Sequence, residues 1–371
     1  MTQPQKYQKS IPWWRTSFGQ SEVDKLAESV SNEHISQGPV TAEFEEKFAS
    51  AINMPFAVAT TSGSVALLIS LMALGIERGD EVIVPNRTWI ATAHAVLMLG
   101  AKVVLVDVKP DSPIIDIDQV RKKITPKTKA ILPVHVNGRA CDIDELNLIS
   151  EQNNLHIIED AAQAMFSRNK EHFIGTQSSL GCFSFSPAKL VSTGQGGMIV
   201  TKNRAIYESL KLILNHGVID NFTDRWTRLG FNFKFTDLLA SFGIVQLDRT
   251  KKRIAHLYAV YDKYKAALDK ANFPFIRMIP NKIKNGELPL YIEALSTERQ
   301  RLMNFLTSHE IETRPATPNL HTSDYLNNPY NFPNSNIFSE QGLILPCGPE
   351  QPLDNVEKVI ECLYKYSKQF S

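Results

Sequence analysis

The sequence predicts an α/β fold: a large domain with a mostly parallel sheet flanked by helices, plus a smaller C-terminal α+β domain. Between residues 41 and 214, short runs of Val, Ile and Leu alternate with segments of helical periodicity, which is typical of parallel strands buried on both faces. Residues 271–371 are richer in Pro and Asn, which indicates a second unit. We therefore divide the chain into a large domain at 1–250, with an N-terminal arm at 1–20, and a small domain at 251–371.

The predicted elements follow one another in a regular order. Thr41 is expected to cap the first helix, at 41–51, because its oxygen can accept the unpaired N–H groups of a first turn. Strands and helices then alternate as strand 56–60, helix 65–74, strand 81–85, helix 88–99, strand 102–108, strand 129–136, helix 142–152 and strand 155–160. The remaining elements are strands at 182–185 and 197–201, a helix at 203–214, a long amphipathic segment at 236–270, and helices near 297–309 and 353–366. Because parallel strands end at one edge of a sheet, ligand-binding residues are expected just after them.

Composition and charge argue against several classes of protein. The net charge of +1 and the lack of a dense Lys/Arg stripe argue against nucleic-acid binding. The longest apolar stretch, at 91–108, contains charged residues and cannot span a bilayer, and residues 1–14 contain no apolar segment typical of a secretion signal. The four cysteines have no metal-ligand spacing. We therefore expect a cytoplasmic protein with reduced thiols, no metal site and no membrane partner.

A first candidate for binding chemistry is the turn Ser62, Gly63 and Ser64, between a predicted strand and a predicted helix. The first N–H groups of the helix and two hydroxyls would point to one place there, and a helix N-terminus is partly positive. This suits a phosphate group. The alternative is an ordinary serine N-cap.

A second candidate combines Asp160, at the end of a strand, with Lys189, which lies between an apolar run and a glycine cluster. A carboxylate can keep the ring nitrogen of pyridoxal phosphate protonated, and a lysine in apolar surroundings can stay deprotonated and nucleophilic. Trp89, just past another strand, could stack on such a ring. The alternatives are a helix-capping Asp160, a surface Lys189 in a turn, and a Trp89 used for packing.

The sequence resembles the DegT–StrS family of pyridoxal phosphate-dependent sugar aminotransferases, which have the aspartate aminotransferase type of fold. The resemblance rests on ordered motifs along most of the chain. They include SQGPVTAEFEEKFA (36–49), TTSGSVALLISLMALG (60–75), IIEDAAQA (157–164), GCFSFSPAKLVSTGQGGMIVT (181–201), LGFNFKFTDLLASFGIVQLD (229–248) and IETRPATPNLH (311–321).

The resemblance implies roles for individual residues. Lys189 would form the Schiff base with the cofactor, and Asp160 would pair with its pyridine nitrogen. The other cofactor contacts would be Ser62, Gly63, Ser64 and Ser184 near the phosphate, Trp89 on the ring face and Gln163 at the ring hydroxyl. Asn232 is expected to reach the phosphate of the neighbouring subunit's cofactor, which implies a homodimer with a shared active site. From the residue alone, Asn232 could equally be a turn or capping asparagine.

Three positions depart from the family pattern. Gln195 stands where the family usually has glutamate, Lys234 replaces an arginine and so lacks a bidentate fork, and Asn137 replaces a tyrosine. These positions are expected near the substrate. Arg314 and His321 are further candidates for substrate contact, although Arg314 could instead form a surface salt bridge.

The resemblance implies transamination. L-glutamate would be the amino donor, a keto sugar linked to a nucleotide the acceptor, and the freed Lys189 amine the general base and acid. The product would enter surface polysaccharide or antibiotic biosynthesis. Alternatives are a non-nucleotide ketone, such as a keto-inositol or a small keto-phosphate, and a non-catalytic sensor that only binds the cofactor. An intact Lys189 argues against the sugar dehydratase branch of the family, in which histidine replaces it.

Overall fold

The computed structural model describes residues 10–220, 225–326 and 330–370. The helices are α1 (Gln20–Ser31), α2 (Pro39–Ala51), α3 (Gly63–Ala73), α4 (Ala91–Met98), α5 (Ile117–Lys123), α6 (Ile143–Asn153), α7 (Arg204–Leu214), α8 (Asp237–Asp248), α9 (Thr250–Ala271), α10 (Arg299–Ser308), α11 (Pro333–Gln341) and α12 (Leu353–Phe370). The strands are β1 (Phe56–Thr60), β2 (Glu81–Pro85), β3 (Lys102–Val106), β4 (Thr128–Ile131), β5 (His156–Asp160), β6 (Arg168–Asn169), β7 (His172–Phe173), β8 (Leu180–Ser184), β9 (Gly197–Thr201), β10 (Ile276–Met278), β11 (Ile292–Ser296), β12 (Arg314–Pro315) and β13 (Gly342–Leu345).

A seven-stranded sheet with the order β1-β9-β8-β5-β4-β2-β3 forms the centre of the fold. β9 pairs antiparallel with both of its neighbours, and the other pairs are parallel. Every residue of β2, β8 and β9 is buried, as expected for strands covered on both faces. A second, antiparallel sheet has the order β10-β11-β13-β12. The predicted fold class is therefore confirmed.

The second sheet packs with α9 and α12 around a separate apolar core. The N-terminal segment lies against this part of the molecule, because Ile11 bridges to Ile311 and Trp14 bridges to Cys347. Residues 1–9 of the predicted arm lie outside the described residues. The division of the chain at residue 250 stays a prediction.

Several element boundaries differ from those predicted. The amphipathic segment at 236–270 forms two helices, α8 and α9, which meet at Arg249. The strand predicted at 129–136 ends at Ile131, since Pro133 follows and lacks an N–H group for a sheet ladder. The short strands of the second sheet and helices α1, α5 and α11 were not predicted individually.

The prediction that Thr41 caps the first helix was wrong. Helix α2 begins at Pro39, and its N-cap residue is Gly38. The carboxylate of Asp237, at the start of α8, accepts hydrogen bonds from the N–H groups of Gly38 and Thr41 at 2.9 and 2.8 Å. The Thr41 hydroxyl also donates to Asp237, at 2.6 Å. A residue distant in the sequence thus replaces the local cap.

We expect Asp237→Ala to lower the free energy of unfolding by about 3 kcal/mol, because buried N–H groups of α2 lose a charged acceptor. Urea denaturation at fixed protein and cofactor concentration measures this loss. Asp248→Ala, an exposed position at the other end of α8, is the matched control and should change the free energy of unfolding by less than about 0.5 kcal/mol. Equal stability of the two variants would contradict this assignment of the cap.

Candidate functional site

A cleft of about 620 Å³ lies at the carboxyl ends of the parallel strands. Residues on or next to the strands of the second sheet line its other side. Nine of the twelve site residues predicted from the sequence line it: Ser62, Gly63, Ser64, Trp89, Asp160, Gln163, Ser184, Lys189 and Arg314. This location agrees with the rule that open α/β sheets bind ligands beyond the ends of their strands. The roles of these residues stay predictions.

One end of the cleft is formed by the start of α3. The Ser62 side chain accepts a hydrogen bond from the N–H of Val65 at 3.2 Å, so this serine caps the helix. Gly63 approaches Ser184 so closely that a Cβ atom at Gly63 would lie 2.8 Å from the serine Cβ. The helix N-terminus, the small side chains around it and the lack of a Cβ at Gly63 leave a partly positive cradle that suits an anion.

The buried carboxylate of Asp160 lies at the end of β5. Its two oxygens accept hydrogen bonds from the Thr92 hydroxyl, at 2.8 Å, and from the N–H of Ala162, at 3.1 Å. Burial raises the pKa of Asp160, while these hydrogen bonds and the charge of Lys189 act against the rise. The ionised carboxylate of Asp160 would therefore strongly stabilise a cation that bound beside it.

Lys189 lies on the loop between β8 and β9 and lines the cleft. Desolvation lowers the pKa of its amine to about 8, although the negative charge of Asp160 opposes this shift. At neutral pH a larger fraction of this amine is neutral than for an ordinary lysine. The loop therefore presents a reactive amine to the cleft rather than a surface charge.

Three side chains from distant segments hold the backbone of the Lys189 loop. Trp14 donates to the carbonyl of Pro187 at 3.1 Å, Tyr291 donates to that of Ala188 at 2.8 Å, and Arg253 donates to that of Leu190 at 3.0 Å. The carbonyls on both sides of Lys189 are thus fixed by side chains. This arrangement, which we call the loop clamp, was not predicted from the sequence.

Trp89 and Gln163 line the same cleft as Asp160 and the start of α3. Trp89 is 60% exposed, so the alternative that it serves core packing does not hold. The amide oxygen of Gln163 accepts a hydrogen bond from the N–H of Asn137 at 2.9 Å, which leaves its amide N–H₂ group as a donor. An aromatic face and a donor group are therefore available to a planar ligand.

Three predicted residues are not among those that line this cleft. Asn232 is exposed and forms a β-bridge with Asn215. Lys234 donates to the side-chain oxygen of Asn215 at 3.0 Å, and desolvation lowers the pKa of Lys234. His321 is bonded to Asn86, with its Nδ1 atom 2.9 Å from the amide nitrogen. The structure therefore does not bring these side chains together with Lys189.

Of the three positions that depart from the family pattern, Gln195 lines the cleft, and Asn137 and Lys234 do not. Asn137 is buried with a positive φ of 54°, in the left-handed region that asparagine tolerates. Its side chain accepts from the N–H of Tyr291 at 2.6 Å and donates to Glu293 at 3.1 Å. Asn137 thus joins the two sheets.

Sequence reasoning missed several residues that line the cleft. Arg87 follows β2, and Glu293, on β11, is bonded to the buried Arg139. Thr92 lies one helical turn after Trp89, and this spacing is the signal that could have identified it. Glu293 and Tyr291 carry no such signal, since the second sheet brings them to the cleft from more than 100 residues beyond Lys189.

Within the described ranges, no cluster of His, Cys, Asp or Glu side chains has the arrangement of a metal site. The four cysteines are buried and unpaired. None of the described helices combines the length and the apolar character needed to cross a bilayer.

The arrangement fits pyridoxal 5′-phosphate. An anion cradle that a Cβ atom would fill, an exposed indole, a buried carboxylate and an amine of lowered pKa line one cleft. The cradle suits the phosphate, and the indole suits the aromatic ring. The carboxylate suits the ring nitrogen, and the amine suits the aldehyde. The site can therefore support amino-group chemistry.

The chain is similar to known proteins along nearly its whole length. The model of the DegT/DnrJ/EryC1/StrS aminotransferase family matches residues 17–364. GDP-perosamine synthase from Vibrio cholerae is 31% identical over 367 residues, which cover 96% of this chain and 99% of that protein. GDP-perosamine synthase from Escherichia coli O157:H7 is 30% identical over 364 residues, with coverage of 96% and 99%.

Solved structures agree with these similarities. DesV from S. venezuelae superposes with a TM-score of 0.90 at 30% identity and covers 94% of this chain and 95% of its own. Spr1654 from Streptococcus pneumoniae, in its PLP form, superposes with a TM-score of 0.91 at 25% identity and covers 97% and 99%.

Proposed function

Because the chain belongs to the DegT/DnrJ/EryC1/StrS aminotransferase family, we propose that it transfers the amino group of L-glutamate to a nucleotide-linked keto sugar. The chain is a pyridoxal phosphate-dependent aminotransferase that acts in amino-sugar biosynthesis. The observation that carries the proposal is that Lys189 and Asp160 line the same cleft as the N-terminus of α3.

The residues of the cleft would hold the cofactor at three places. Gly63, Ser64 and Ser184, which line the cleft together with the capping Ser62, would bind the phosphate. Asp160 would pair with the ring nitrogen, Trp89 would stack on the ring, and Gln163 would donate to the ring hydroxyl, since all three line the cleft. When bound, pyridoxal phosphate supplies the electron sink that makes the Cα–H bond of an amino acid acidic enough to break.

Lys189 moves the protons in this mechanism. With a pKa of about 8, its Nζ atom is neutral often enough to accept a proton from the Cα of the donor. In the second half-reaction it delivers a proton to the sugar carbon that receives the amine. Asp160 would keep the ring nitrogen of the bound cofactor protonated, and Thr92 holds the carboxylate of Asp160 in place. The loop clamp fixes the backbone from which Nζ acts.

A second copy of the chain would complete the site. Asn232 is exposed and outside its own chain's cleft, as expected if it binds the cofactor phosphate in a neighbouring subunit. We therefore propose a homodimer with a shared active site. The alternative for Asn232 is a turn residue without a partner subunit, which the sequence alone allows.

The nucleotide-linked acceptor is inferred from the relatives named GDP-perosamine synthase, because they match over 96% of the chain. The product would serve a surface polysaccharide or an antibiotic. Four unpaired, buried cysteines fit a reducing cytoplasm, which we propose as the compartment.

The visible absorption spectrum of the purified protein tests the proposal. We expect a yellow protein whose band fades when L-glutamate is added and returns when a GDP- or UDP-linked 4-keto-6-deoxy sugar follows. D-glutamate is the matched control and should leave the band unchanged. A yellow protein that ignores L-glutamate and every other amino acid would contradict transamination and favour a cofactor-binding sensor.

A further inference from the structure

Resting on the function proposed above, we propose that Arg87 binds a carboxylate group of the amino donor. Arg87 follows β2 and lies two residues before Trp89, on the part of the chain that lines the cleft. Arg87, Trp89 and Lys189 line the same cleft, so a donor amino acid that reacts with Lys189 there can reach Arg87 with its carboxylate.

Arg87 is buried and only partly satisfied. Its side chain is 6% exposed, and its NH1 group donates to the carbonyl and, at 2.8 Å, to the hydroxyl of Thr317. The Nε atom has no hydrogen-bond partner among the described residues. A buried guanidinium has five N–H donors in a planar fork, and a carboxylate accepts two of them at once. The arginine thus offers donors that the protein itself does not use.

Among the described residues, no carboxylate forms an ion pair with Arg87. Burial lowers the pKa of Arg87, and the nearby charges that act on it are Glu293, which favours the cation, and Arg299, which disfavours it. Glu293, however, is already ion-paired with Arg139 and accepts a hydrogen bond from Asn137. A buried cation without a dedicated anion is costly. An anionic ligand in the cleft would therefore be bound strongly.

The amino donor fits this site better than the acceptor does. Every amino acid has a carboxylate on its reacting Cα, whereas a keto sugar ring is neutral and offers hydroxyl groups. A nucleotide sugar also carries an anionic diphosphate, and binding of that group to Arg87 would appear as a defect in the keto-sugar half-reaction. The other cations considered from the sequence are less suitable, because Arg314 is exposed and lies over the ring of Trp13, and Lys234 is bonded to Asn215 outside the cleft lining.

The test measures the half-reaction of the holoenzyme with L-glutamate by stopped-flow absorbance. For Arg87→Gln we expect the apparent Kd for L-glutamate to rise roughly 10- to 150-fold, the range for one lost charge-assisted hydrogen-bonded pair. For Arg87→Lys we expect an apparent Kd between those of the wild type and Arg87→Gln, because lysine keeps the charge but lacks the planar fork of N–H donors. Arg121→Gln, an exposed arginine paired with Glu145, is the matched control. Transfer of the amino group to the keto sugar, the second half-reaction, should have the wild-type rate in all three variants.

Unchanged glutamate affinity in Arg87→Gln, or a defect confined to the keto-sugar half-reaction, would overturn the inference. If the wild-type holoenzyme itself ignores L-glutamate, the donor proposed above is wrong. In that case calorimetric binding of glutarate, which cannot react, decides the role of Arg87. Weaker glutarate binding to Arg87→Gln supports a carboxylate site, and equal binding excludes one. Cofactor absorbance and the melting temperature check folding, and Arg87→Lys replaces Arg87→Gln should the latter misfold.

Discussion

Lys189→Ala is expected to lower kcat by roughly 10³-fold or more, because the variant lacks the cleft amine that we propose to bond the cofactor and to remove the Cα proton. Turnover with L-glutamate and a keto sugar, followed by formation of 2-oxoglutarate, measures the loss. The proposed phosphate site at the start of α3 does not involve Lys189, so pyridoxal phosphate should still bind, without a covalent bond.

The structure offers a matched control for this variant. Lys358 is an exposed lysine on α12, and Lys358→Ala should keep wild-type turnover. Circular dichroism and the elution volume on size exclusion should be the same for both variants and the wild type. If Lys189→Ala retained a tenth or more of the wild-type rate, another group would have to serve as the base, and the assignment of the site would be wrong.

Asp160→Asn is expected to lower kcat by roughly 10²- to 10³-fold with little loss of cofactor affinity. An asparagine has nearly the same shape and can keep one of the hydrogen bonds to Thr92 and Ala162. It carries no charge, so under the proposed mechanism the ring nitrogen would no longer be kept protonated and the electron sink would be weaker. Stopped-flow measurement of the glutamate half-reaction separates this slow chemical step from cofactor binding.

Asp142→Asn is the matched control for Asp160→Asn. Asp142 caps helix α6 by accepting from the N–H of Glu145 at 3.2 Å, and asparagine is an equally good cap. This variant should therefore have wild-type rates. A primary deuterium isotope effect with Cα-deuterated glutamate should become larger in Asp160→Asn. A near-normal rate and isotope effect would mean that another residue controls the ring nitrogen.

Much of the fold could be predicted because local patterns carry it. Continuous apolar strands such as β2 and β8 require cover on both faces, and this determines a parallel sheet between helices. The same logic predicted the cleft, since Asp160 ends a strand and Gly63 begins a helix at the same edge of the sheet. These residues are recognisable from their neighbours in the chain.

The remaining features depend on contacts between residues that are far apart in the sequence. Thr41 has the sequence of a helix cap, but Asp237 takes this role from 196 positions away. Asn137 was expected near the substrate. Its side-chain oxygen accepts a hydrogen bond from the N–H of Tyr291, which lies 154 positions further on. The Arg87 side chain donates its hydrogen bonds to Thr317, at a separation of 230 positions. A pattern in one stretch of sequence contains no information about such partners.

The loop clamp limits how the gene for this chain can be shortened or recombined. Trp14, Arg253 and Tyr291 come from three separate regions, two of them beyond residue 250, and each one donates to a carbonyl within two residues of the same lysine. A gene that encoded only the first 250 residues would keep Lys189 and Asp160 but lose two of the three clamping side chains. Recombination that exchanged either end of the gene for that of a relative would have to preserve all three contacts. The positioning of the reactive lysine therefore depends on residues from both ends of the chain.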